Sequence, residues 1–75
     1  MSERFENLVS QLRGSVERKR TILAALISSG IENEVDLREI IRGRNIEQVT
    51  SLFERKLNLD EFAASALAGL LVRGR

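Results

Sequence analysis

Apolar residues recur at three- and four-residue intervals along nearly the whole chain, and no segment shows the period-two alternation of a half-buried strand. The spacing predicts helices near 2–13, 15–29, 36–42, 45–57 and 59–73. The expected fold is therefore all-α: a small helical bundle of four to five helices in a single domain spanning 1–75. Phe5, Leu8, Leu12, Val16, Ile22, Leu23 and Leu26 keep helical register straight across Gly14. A glycine inside a helix costs only about 1 kcal/mol relative to alanine. The pattern thus favours one long helix over 2–29, bent at Gly14, with three shorter helices folded back on it.

Starts and stops support these elements. Leu12-Arg13-Gly14, Ile41-Arg42-Gly43 and Val72-Arg73-Gly74 each have the form of a helix exit, and Ser29-Gly30 is a fourth without the cation. A basic residue in the last turn offsets the helix dipole, and glycine accepts a left-handed terminal conformation. Asp36 with Glu39, Asn45 with Gln48, and Asn58 with Glu61 have capping-box spacing. Val35 with Ile40 and Leu57 with Phe62 have the spacing of hydrophobic staples.

Two helices are apolar on more than one side. At 100° per residue, Leu59, Phe62, Ala63, Ala66, Leu67 and Leu70 share one face of the last helix. Its other side carries Ser65, Ala68 and Val72, without charge past the first turn. The segment from Thr21 repeats this, with Ile22, Leu23, Leu26 and Ile27 opposite Ala24, Ala25 and Ser28. A solvated back should carry charge, as helix 45–57 does with Glu47, Gln48, Glu54 and Arg55. Ala24, Ala25, Ser28, Ser65, Ala68 and Val72 are accordingly candidate interface residues for a second copy or a larger complex. The competing arrangement packs the two backs against each other inside one chain. Lys19 falls among Leu12, Val16, Leu23 and Leu26, where its stem would lie on apolar surface and its ammonium reach water.

Composition narrows the chemistry. The 75 residues contain no Cys, His, Trp or Tyr, which removes thiol chemistry and the usual general base and metal ligand. No phosphate-cradling glycine loop or dinucleotide fingerprint occurs. Glu32, Glu34, Asp36 and Glu39 crowd one stretch without the ligand spacing of a calcium loop, and read as a solvated acidic helix start. No enzyme activity, cofactor, metal or small-molecule substrate is expected. The longest uncharged stretches, 21–31 and 62–72, fall short of the roughly 20 residues of a membrane span. The first residues lead into an acidic amphipathic segment rather than a secretory signal, so a cytoplasmic protein is expected.

Arginine is the remaining signal. Arg13, Arg18, Lys19 and Arg20 form one basic cluster, and Arg38, Arg42 and Arg44 another. Arg13, Arg18, Lys19, Arg20, Arg42 and Arg44 are the candidate nucleic-acid contacts. Against that reading, the net charge is only +1, and residues 31–50 hold three arginines but five acids. Arg55 to Ala64 resembles the opening of a helix-turn-helix domain, yet only six residues follow Gly69, too few for a recognition helix. The expected function is a non-catalytic protein-interaction module, self-associating (most simply as a dimer) or a small subunit of a larger assembly. The alternative is a nucleic-acid-binding or replication/transcription accessory protein using the arginine clusters.

Overall fold

Phe5, Leu8, Val9 and Leu12 are buried, so the first apolar run does enter a core, but it does so as a helix of its own. A computed structural model describes residues 4–74 as α1 (Glu6–Ser10), α2 (Val16–Ser28), α3 (Glu34–Ile40), α4 (Ile46–Lys56) and α5 (Glu61–Arg73). No strand occurs among the described residues. The predicted helix start at residue 2 lies outside them.

The long helix over 2–29 does not form. The Ser10 hydroxyl and Gln11 side-chain amide both donate to the Asn7 carbonyl, at 2.7 and 3.2 Å, and the last backbone bonds tighten to Leu8 and Val9 carbonyls. Gly14 then takes φ +121°, which no helix accommodates. Ser15 restarts the helix as N-cap, its hydroxyl accepting from the Arg18 amide at 3.1 Å. Val16, the residue that made the register look continuous, is 66% exposed. The short α1 is held by its buried side chains and by Arg4, whose guanidinium donates to the Ile31 and Glu32 carbonyls in the α2–α3 turn.

The helix caps follow the same chemistry at shifted positions. The expected box at Asn45 forms, with Asn45 Oδ1 accepting from Gln48 N and Gln48 Oε1 from Asn45 N. Elsewhere Asn33 rather than Asp36 caps α3, and Asp60 rather than Asn58 caps α5. Asn58 turns the chain at φ +54° instead. Neither hydrophobic staple forms, since Val35 and Phe62 are 70% and 73% exposed. Gly30 and Gly43 end their segments at positive φ as expected, whereas Gly74 does not.

The centre of the molecule is α5. Ala63, Ala64, Leu67, Ala68 and Leu71 are all buried against Val49 and Phe53 of α4 and Ile22 and Leu26 of α2, within one core cluster. The most extensive helix pairing is α4 with α5, and α2 also packs on α5. Of the predicted stripe, Leu59, Ala63 and Leu67 are buried, Ala66 and Leu70 half-buried and Phe62 exposed, so the buried face of α5 is rotated towards Ala64, Ala68 and Leu71. Its alanines let two helices approach it closely. Of the small back face read as a subunit contact, Ala68 is used inside the chain, Val72 only in part, and Ser65 not at all.

Candidate functional site

The six candidate interface residues divide between surface and interior. Ala24, Ser28 and Ser65 are exposed, while Ala25 and Val72 pack partly against the core. Ala68 is fully buried by the chain's own α2 and α4 side, which corrects its assignment to an outward contact. The competing back-to-back arrangement does not form either, since α2 meets the core with Ile22 and Leu26 while Ala24 and Ser28 of its back stay exposed.

The outward apolar surface of α2 runs along a neighbouring line. Val16, Leu23 and Ile27 recur at seven and four residues, within about 40° of each other around the helix. Val16 and Ile27 are 66% and 47% exposed, and Leu23 is half-buried. Arg20 shares the line and Ala24 flanks it. Lys19 is half-buried on the core-facing edge, the position expected of a snorkelling lysine.

The second basic cluster is neutralised at home. Arg38 meets Glu34 at 2.9 Å, Arg42 meets Glu39 at 3.4 Å, and Arg44 Nε donates to the Ile40 carbonyl. Both acids come from the stretch read as an acidic helix start, and no group of three or more carboxylates able to hold a metal ion occurs among the described residues.

The first cluster is split and partly reassembled. The break at Gly14 carries Arg13 and Arg18 to the C-terminal end of α5, where they line an open cleft of about 690 Å³ together with Arg73. Leu12, Ala66 and Leu70 supply its apolar lining, and among the described residues no acidic side chain lines it. Two glycines shape the arginines. A β-carbon on Gly69 would stand 2.7 Å from Arg73 Nη2, and one on Gly14 would stand 3.3 Å from Arg18 Nη1. Each guanidinium therefore folds back over a backbone that has no side chain to displace it. Arg20, Arg42 and Arg44 do not line this cleft. Arg73 appeared in the sequence only as a helix-exit cation, and its convergence with Arg13 and Arg18 follows from tertiary packing alone.

No protein-family model matches the chain, and no curated protein or solved structure is similar to it. No helix among the described residues is long and apolar enough to cross a membrane.

Proposed function

We propose that the protein is a non-catalytic, cytoplasmic helical interaction module that self-associates through the outward face of α2. The observation that carries this reading is the line of Val16, Leu23 and Ile27, whose two ends stand in water: among the described residues no other helix carries two large apolar side chains this exposed. A chain of 75 residues buries only about 60–65% of its unfolded surface, so covering that line with a second copy adds to a marginal core. Closed two-fold pairing is the simplest such arrangement.

The magnitude points to weak association. Full burial of a Val or Ile side chain contributes about 1.5–3 kcal/mol, and Val16 and Ile27 of two copies must together offset about 4–15 kcal/mol of lost rigid-body freedom. The dimer should accordingly form at high micromolar to millimolar concentration and not below. Light scattering across that range should show the mass rising from one chain towards two. Ile27→Glu should hold the protein at one chain with its helical signal unchanged. Ala68→Glu serves as the contrast: a charge buried beside Leu67 and Leu71 should unfold the chain at every concentration. A wild-type mass fixed at one chain up to millimolar concentration, or an Ile27→Glu variant that still associates, would remove self-association through α2.

A further inference from the structure

We infer that the cleft between the α1–α2 turn and the end of α5 is a docking site for an acidic, partly apolar peptide segment of a partner protein, gripped by Arg13, Arg18 and Arg73 over the apolar lining of Leu12, Ala66 and Leu70. This deepens the interaction reading by naming a partner's chemistry. It uses a separate surface, since Arg18 lies about 160° around α2 from Val16.

Charge complementarity is the first support. Three arginines line one cleft that has no carboxylate among its described lining residues. Their mutual repulsion is relieved by an anion held between them. Arg73 alone is accounted for as a last-turn cation on α5. Arg18 is not: it sits in the first turn of α2, at the positive end of the dipole, and makes no ion pair with Glu17, the acid of that turn. All three are arginines, whose planar fork grips a carboxylate through two parallel bonds.

The lining and the overall charge select the class of anion. A nucleic-acid backbone would find three phosphate contacts here, on a chain of net charge +1 carrying eleven acids. Nonspecific affinity scales with the number of neutralised phosphates, so three give little. The apolar lining is of no use to a phosphate, but it accepts a Leu or Met side chain set between two carboxylates. Phe62, one turn before Ala66 on the same side of α5 and 73% exposed, extends that apolar surface beyond the cleft.

The test is fluorescence anisotropy of a fluorescein-labelled peptide alternating Glu and Leu, at protein concentrations below those at which light scattering detects association. A Lys/Leu peptide and a mixed-sequence DNA duplex serve as comparison probes. The acidic peptide should bind, more weakly as salt rises, and tighter than either comparison probe. Arg13→Gln, Arg18→Gln and Arg73→Gln should each weaken it about tenfold, the loss expected for one charge-assisted contact. Arg55→Gln, on the exposed side of α4, removes the same charge and should leave affinity within about twofold. Gly69→Ala gives a readout that lost folding cannot imitate. Only the flexible end of Arg73 stands in the way of the new methyl, so the melting temperature should hold or rise while peptide affinity drops about tenfold. No binding of the acidic peptide, binding indifferent to the three arginines, or tighter binding of the duplex would overturn the assignment. A protein that binds the peptide but stays one chain at millimolar concentration would leave the cleft standing and defeat the α2 reading alone.

Discussion

Gly14 shows how much one residue decides. In a continuous helix over 2–29, replacing it with alanine would remove a propensity cost and stabilise the chain by about 1 kcal/mol. At φ +121°, with Arg18 Nη1 only 3.3 Å from the position of the new β-carbon, the same change is strained. Gly14→Ala should instead destabilise by about 1–3 kcal/mol in urea melts, the cost of holding a non-glycine residue in such a conformation. The sign of that number separates the two chain paths. The Leu12-Arg13-Gly14 exit pointed to the break, but Val16 kept the helical register across it while contributing nothing to the core. The deciding information is the competition of Ser10 and Gln11 for the Asn7 carbonyl, and the Ser15 cap that follows.

At the scale of elements, helix existence was legible, and so was facing where Phe5, Leu8, Leu12, Ile22 and Leu26 are buried, but the facing of α5 was not. All five helices occur within a few residues of their predicted spans except α1, whose short core of Phe5, Leu8 and Val9 ends by Ser10. Periodicity cannot tell which arc of an alanine-rich helix is buried, because alanine fits a core, a close contact and a solvated back alike. In α5 the choice fell to Leu67 and Leu71 with Ala64 and Ala68, and Phe62 was left outside. The candidate site suffered the same limit. Arg13 and Arg18 could be nominated from their clustering, but their meeting with Arg73 depends on the turn at Gly14 and on α5 lying against it. The caps give an element-scale test. Asn33→Ala and Asp60→Ala should each cost about 1 kcal/mol in chemical denaturation, since each removes an acceptor from an N-terminal amide at 2.9 and 2.8 Å. Asp36→Ala and Asn58→Gly, at the positions that capping-box spacing had singled out, should lose no cap, and Asn58→Gly should stabilise slightly because it relieves φ +54°.

On the scale of the whole molecule, α5 is enclosed by α2 and α4, and the surfaces left for partners lie on opposite flanks of α2. One flank is the apolar line from Val16 to Ile27, and the other faces the arginine cleft. The charge balance of +1 is consistent with this division, since most acids and bases are spread over solvated helix faces or paired within one helix. The central claim, that the protein meets a second copy through α2 while α5 stays interior, can be read residue by residue. Amide chemical shifts should be followed by NMR as the protein is diluted from millimolar to low micromolar concentration. Shifts should concentrate at Val16, Arg20, Leu23, Ala24 and Ile27, with Ala64, Leu67, Ala68 and Leu71 unmoved. A spectrum unchanged by dilution, or shifts centred on α5, would contradict it.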